Sequence, residues 1–249
     1  MKLAIMQPYA FPYLGYFQLL QAADRFVLLD DVTFIKQGWI NRNRILGPHG
    51  PLRFTLPVEG AGSHRRLCDL HLTATTRWRD KLLRTIEQTY RRAPGFERAW
   101  PVVEASLRHP ERRLTGWLRH SLEQVCGALG VTTPMISAAA VHPADGDRGL
   151  DRVLEICRRE GASEYLNAEG GRALYPARAF AARGLRLRFV EHHPRPYAQG
   201  GGPFVERLSI IDALMFNSPA ELARLLDDCS VVPAGPGADS ATTPPLTPP

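Results

Sequence analysis

The side chains best suited to chemistry lie close together near the amino terminus, where Asp30-Asp31 is followed by Lys36, Trp39, Asn41 and Arg42. A carboxylate can take a proton from an attacking group, and a lysine or arginine can hold an anion or stabilise a developing oxyanion. Asp31 therefore fits a general base, and it fits a turn cap as well. Lys36 and Arg42 fit charge stabilisation or plain solvation. Adjacent residues of an extended chain point to opposite sides, so Asp30 and Asp31 are not expected to act on one group. Trp39, Asn41 and Arg42 combine a stacking face, an amide and a planar cation, which suits a sugar, a nucleobase or an acyl phosphate. The alternative for Trp39 is the single buried indole of a hairpin.

Three further groups have the right types. Gln7, Tyr9 and Tyr13 follow the first apolar run and either line a pocket or pack as loop aromatics. Asn167, Gly170 and Gly171 lie between a strand and a helix, where paired glycines let a backbone approach a ligand and helix N–H groups face an anion. Their spacing matches neither GxGxxG nor the P-loop. Tyr197 and Gln199 sit in a segment rich in proline and glycine that reads as a lid. Asp212 lies among apolar neighbours; if buried it needs a partner, and Arg42 or Lys36 would serve. The eight histidines show no HExxH or other metal-ligand spacing, so neither a metal nor a cofactor is expected.

Positioning these groups requires regular elements. Leu3–Met6 and Phe26–Leu29 are short apolar runs separated by a helical pattern, which is a Rossmann-like βαβ start. Parallel strands of this kind open their carboxyl ends on one edge of the sheet, where ligands of open α/β folds bind. From Thr76 to Arg92, Trp78, Leu82, Ile86 and Tyr90 recur at helical spacing, and two more helical patterns follow, giving a helical insertion at about 76–130. Alternation of helix and strand then resumes to Leu226. The fold expected is α/β with a largely parallel sheet and a helical middle segment. Residues 1–231 form one domain in this reading, and 232–249, rich in Pro, Gly and Ala, form a disordered tail. The motifs at Gln7, Asp31–Arg42, Asn167–Gly171 and Tyr197–Gln199 are expected to converge on one cleft.

Composition bounds the rest. At 249 residues, with 44% hydrophobic and 22% charged side chains, the chain can bury a substantial core and is not a disordered polymer. No apolar run approaches the roughly 18 residues of a membrane helix. The first fifteen residues lack a basic head followed by a long apolar stretch, so a soluble, cytoplasmic protein is expected. Four cysteines without a CxxC pair suit a reducing compartment, and Cys157 shares a helical face with Leu150, Val153 and Leu154, as core packing would require. A net charge of +6 and a pI near 9.4 favour an anionic partner, although a solvated basic face on amphipathic helices is the simpler account of most arginines.

Four stretches in one order, MQPYAFPYLGYFQLL, DDVTFIKQGWINRNRIL, YLNAEGGRALYP and LSIIDALMFN, resemble the WbqC-like family across Met1 to Asp228. Members of that family occur in gene clusters for O-antigen and other surface sugars. The chain departs from the family pattern at Ser137-Ala138, where relatives carry paired serines, and at Arg148-Gly149, where they carry Lys-Gly. The resemblance implies aminoacyl (glycine) or acyl transfer to an amino-sugar or related amine, from an activated donor such as an aminoacyl-tRNA or acyl adenylate. A nucleotide-binding (nucleotidyl) transferase and a noncatalytic accessory of sugar-polymer assembly are the alternative readings.

Overall fold

The computed structural model describes residues 1–144 and 146–235. The chain opens with strand β1 (Lys2–Met6), helix α1 (Leu14–Ala22) and strand β2 (Arg25–Leu28), the βαβ unit expected from the two apolar runs. A long excursion follows: the hairpin β3 (Arg42–Gly47) and β4 (Gly50–Thr55), the short pair β5 (Val58–Glu59) and β6 (His71–Leu72), and helices α2 (Arg77–Tyr90), α3 (Phe96–Arg108) and α4 (Leu114–Leu129). The chain returns as β7 (Met135–Ser137), α5 (Ala138–Val141), α6 (Gly149–Arg159), β8 (Glu164–Ala168), α7 (Ala177–Ala181) and β9 (Arg186–His192). Helices α8 (Ile210–Phe216) and α9 (Pro219–Asp227) and strand β10 (Cys229–Pro233) complete it.

The main sheet has six strands in the order β10-β9-β8-β1-β2-β7. All neighbours pair in parallel except β10, which runs antiparallel to β9 at the edge. Both faces are covered, which is why the central strands read as unbroken apolar runs. Leu3 and Ile5 of β1 and Val27 of β2 pack with Val153, Leu154, Ile156 and Cys157 of α6 and Phe180 of α7. Ala4, Phe26 and Leu28 face the other way, into a larger core with α1, α2, α3, α4, α8 and α9. The period of two along each strand thus divides one apolar run between two layers. Cys157 is fully buried in the smaller core, and burial pushes its thiol up to about 12, so it is inert packing.

Helix α2 carries Leu82, Ile86 and Tyr90 on its buried side with Trp78 half-buried beside them, as their spacing requires. Gly130, at φ 73°, closes α4 with its N–H on the carbonyls of Cys126 and Gly127. Among the described residues no helix is long and apolar enough to cross a membrane.

The sheet runs past the expected domain end at residue 231. Val232 pairs with Phe189 and Pro233 with Arg188, and the Ala234 N–H donates to the Leu187 carbonyl at 3.1 Å. A proline is tolerated here because β10 is an edge strand, with one side free of ladder bonds. The remainder of the expected tail, 236–249, lies outside the described residues.

Candidate functional site

The strand order creates a specific place for a ligand. The chain leaves β1 for α1 on the larger-core face and leaves β8 for α7 on the opposite face. These two strands are neighbours, so the loops after them diverge and open a crevice at the carboxyl edge, a topological switch point. Gln7, Tyr9 and Tyr13 come from the β1 side. Asn167, Glu169, Gly170, Gly171 and Tyr175 come from the β8 side, and His192 ends β9 on the same edge.

Side chains from the two loops meet. Burial first, then the neighbouring Tyr13 and Tyr175, push the Tyr9 phenol up to about 12, and the Tyr9 ring lies 5.7 Å from Tyr16. The Tyr13 ring meets His192 edge-on at 5.9 Å. Tyr13 is raised by burial, with Arg207 opposing that shift and Glu169 adding to it. Arg207 reaches Glu169 at 3.3 Å. Burial lowers the His192 pKa, while Glu169 and Glu206 act to raise it and Arg207 and His193 to lower it.

Backbone conformation marks the same region. Phe11 and Arg207 hold positive φ of 44° and 55°, a conformation that costs a bulky L-residue free energy and persists only where its surroundings impose it. At Phe11 the imposing contacts are explicit: its carbonyl accepts Asn43 Nδ2 at 2.7 Å and Ser209 Oγ at 2.8 Å. These bonds tie the β1 loop to β3 and to the start of α8. A crevice of about 30 Å3 lies among Tyr13, His192, Arg195, Tyr197 and Arg207. That is too narrow for a sugar or a nucleotide, and segment 194–207, which supplies Arg195, Tyr197 and Arg207 to the lining, lies over the site as a strap. A wider groove of about 840 Å3 between α2 and α3 has mixed charge, Arg77, Lys81 and Arg84 against Asp80 and Glu87, and takes no residue from the sheet edge.

The expected site residues divide into those at this edge and those committed elsewhere. Tyr197 and Gln199 are close by, yet their polar groups go to Asp212: Tyr197 Oη donates to Oδ2 at 2.8 Å and Gln199 Nε2 to the same oxygen at 2.7 Å. Tyr90 donates to Oδ1 at 2.9 Å. Asp212 is therefore partnered by two phenols and an amide, and not by Arg42 or Lys36 as expected. Burial raises its pKa despite these donors.

Gly171 serves Asn167. A Cβ on Gly171 would sit 2.9 to 3.0 Å from the Asn167 amide group, whereas one on Gly170 would meet nothing within 4 Å. Asn167 in turn donates to Tyr165 Oη at 2.9 Å and accepts the Ala168 N–H at 2.7 Å. Gly171→Ala should therefore lower stability by about 1–3 kcal/mol through overpacking, and Gly170→Ala by much less, in urea melts.

The Asp31–Arg42 stretch does not act as one cluster. Asp30 caps α5, accepting Ser137 Oγ at 2.6 Å and the Ala139 N–H at 2.8 Å. Asp31 forms a buried ion pair with Arg152 of α6 at 2.6 Å, its side chain 5% exposed. Asn41 donates to the Leu56 carbonyl at 2.8 Å and is structural. Trp39 is half-buried with the Arg44 guanidinium 5.4 Å above its ring, Arg42 is partly buried on the same hairpin, and Lys36 is exposed. Arg152 also donates to the His142 carbonyl, and His142 Nε2 meets Glu160, which Arg25 pairs from the other side. Burial works against the Glu160 carboxylate, but hydrogen bonds from Arg25 and His142 outweigh it and hold its pKa below the usual range. A depressed folded value means that the stabilisation is complete above the unfolded value, about 4.3, and is lost as pH falls through the folded value. Glu160→Gln should accordingly lower the melting temperature near neutral pH, and the difference from wild type should shrink as pH falls below about 4.3.

A family model described as the WbqC-like protein family matches residues 7–224. The chain belongs to that family. An uncharacterized relative, Rv1507c of Mycobacterium tuberculosis (strain ATCC 25618 / H37Rv), is 30% identical over 230 residues, covering 92% of this chain and 98% of its own. No solved structure gives a significant match. The WbqC-like match spans every residue placed at the switch point, from Gln7 through His192 to Arg207. Of these, Tyr175, His192 and Arg207 carry no spacing signal in the sequence, because their neighbours come from other loops.

Proposed function

We propose that this WbqC-like protein is an acyl or aminoacyl transferase that joins an activated acyl group, glycine being the type case, to an amine of a sugar or related metabolite in surface-sugar or specialised-metabolite biosynthesis. The observation that carries this reading is the convergence of Tyr13, Glu169, His192 and Arg207 on the β1/β8 switch point. Acyl transfer to an amine needs a proton acceptor for the nucleophile and cationic or hydroxyl donors for the developing oxyanion, and this edge holds all of these types. The Glu169 carboxylate and Tyr13 hydroxyl suit the polar face of an amino-sugar.

The hairpin supports an anionic donor. Arg44 and Arg53 lie directly opposite each other on β3 and β4, a like-charge pair that is unfavourable unless an anion sits over it. Among the described residues Lys36, Arg42, Arg44 and Arg53 have no acidic partner. Lys36, Arg42 and Trp39 keep the role of holding such a donor, an acyl adenylate or aminoacyl-tRNA. Asp31 does not keep the role of base, because its carboxylate is buried and engaged by Arg152.

Substrate access requires the strap over the crevice to lift. A thermal-shift screen of acyl adenylates, nucleotides, nucleotide-sugars and amino-sugars, followed by mass spectrometry of the products, tests the reading. Stabilisation by a donor together with an amide product is the expected result. Stabilisation by nucleoside triphosphates alone, without amide formation, would point to a nucleotidyl transferase instead.

A further inference from the structure

One half-buried imidazole at this edge has its tautomer set by the fold. Gln18 lies on α1, almost fully buried, and its Nε2 donates to the carbonyls of Leu225 at 2.8 Å and Asp228 at 3.1 Å. With both amide protons committed, Gln18 offers His192 only Oε1, which can only accept. His192 Nδ1, 2.7 Å away, must therefore carry the proton. In the neutral ring Nε2 is then a lone pair, and among the described residues it has no hydrogen-bond partner. His192 borders the switch-point crevice with Tyr13, Arg195 and Arg207.

We propose that His192 is the proton acceptor of the transfer reaction, taking the amine proton at Nε2, with Gln18 as the residue that positions it. This inference rests on the acyl-transfer reading. The amine nitrogen attacks the acyl carbon, forming the N–C bond as the carbonyl electron pair moves to oxygen. The displaced N–H proton passes to His192 Nε2. When the oxyanion collapses, the bond from carbon to the leaving group breaks, and the leaving group departs with the proton from Nε2, so the imidazole returns to its starting state. Gln18 accepts from Nδ1–H throughout, the orienting role that a fixed acceptor plays for a catalytic histidine. The charged or titratable groups around the ring are Glu169 from the β8 loop, Arg195, Tyr197, Glu206 and Arg207 from the strap, Tyr13 at the start of α1, and His193 beside it. Burial dominates among them and keeps the ring unprotonated near pH 7, as a base must be.

The test uses the full chain with p-nitrophenyl acetate or glycyl adenylate as donor and glucosamine as acceptor. Amide formation is followed by mass spectrometry across pH 5 to 8. The wild type should lose kcat on the acid side with an apparent pKa below about 6.5. His192→Gln should cut kcat by about 10²–10⁴-fold with little change in KM for glucosamine. Gln18→Glu gives up the donors to Leu225 and Asp228, and where the variant still melts cooperatively its carboxylate on Nδ1–H should move the acid limb to higher pH, a shift that a purely structural role would not produce. Nitrogen-15 NMR of labelled histidine should show His192 as the neutral Nδ1–H tautomer near pH 7.5, and a Gln18→Leu protein that still melts cooperatively should lose that preference. An Nε2–H tautomer, or undiminished turnover in His192→Gln, overturns the proposal. If the wild type forms no amide from either donor, the acyl-transfer reading fails and the base role with it, while the NMR result still separates an oriented imidazole from an unrestrained one.

Discussion

Arg152→Met is expected to destabilise the protein by about 3–5 kcal/mol, because it removes one member of a buried ion pair and leaves the other charged and unpartnered. The Arg152 and Asp31 side chains are 3% and 5% exposed, and their contact of 2.6 Å joins α6 to the carboxyl end of β2. The Asp31 carboxylate has no other hydrogen-bond partner: its second oxygen, Oδ1, is buried and unpaired. Among the described residues no other cation hydrogen-bonds Asp31; Arg66 acts on it only at a distance, from an exposed position. The double replacement Asp31→Leu with Arg152→Met should recover most of the loss, since a matched apolar pair carries no desolvation cost. Urea melts of the two single variants and the double variant form the cycle that decides this. A cooperative, nearly wild-type melt for Asp31→Asn together with abolished turnover would contradict the structural assignment and return Asp31 to the role of base.

The second large effect belongs to Asp212. This carboxylate is fully buried and takes hydrogen bonds from Tyr90, Tyr197 and Gln199, which lie on α2 and on the strap. Asp212→Ala leaves three donors without an acceptor, and each buried orphan costs about 1–3 kcal/mol, so a loss of about 3 kcal/mol or more is expected. The loss should be regional as well as global. Gln199 also holds the strap through Val205, donating to its carbonyl at 3.1 Å and accepting its N–H at 2.7 Å. Hydrogen exchange should therefore quicken across 197–206 in the variant before it does in the sheet. An Asp212→Ala protein with unchanged exchange in the strap would show that Tyr197 and Gln199 are held by other contacts.

How much of this was legible in the sequence depends on the range of the interaction. The βαβ start and α2 were readable because their signals are local: unbroken apolar runs between covering layers, and Leu82, Ile86 and Tyr90 at helical spacing. β10 was obscured because an edge strand tolerates Pro233, and the prolines and glycines beyond it read as a chain that cannot pack. Charge alone points Asp212 to Arg42 or Lys36, whereas its partners are Tyr90, Tyr197 and Gln199. A buried carboxylate can be satisfied by neutral donors, and Tyr90 lies 122 residues away in sequence. His192 gives no signal because what would orient it is Gln18, 174 residues away, whose own amide is held by two carbonyls at the end of α9. In the Asp31–Arg42 stretch the density of polar residues was real, but adjacent side chains went to different partners, Asp31 to α6 and Asn41 to Leu56.

We propose that a small-molecule substrate binds at the β1/β8 switch point, between Tyr13, Glu169, His192 and Arg207. The most direct measurement is the ligand-induced rise in melting temperature with glucosamine and an acyl adenylate, compared among the wild type, Glu169→Gln and Lys36→Ala. Glu169→Gln should abolish the rise from glucosamine, while Lys36→Ala should leave it intact and weaken only the response to the adenylate. A glucosamine response that survives Glu169→Gln and disappears in Lys36→Ala would overturn this placement and move the site to the hairpin.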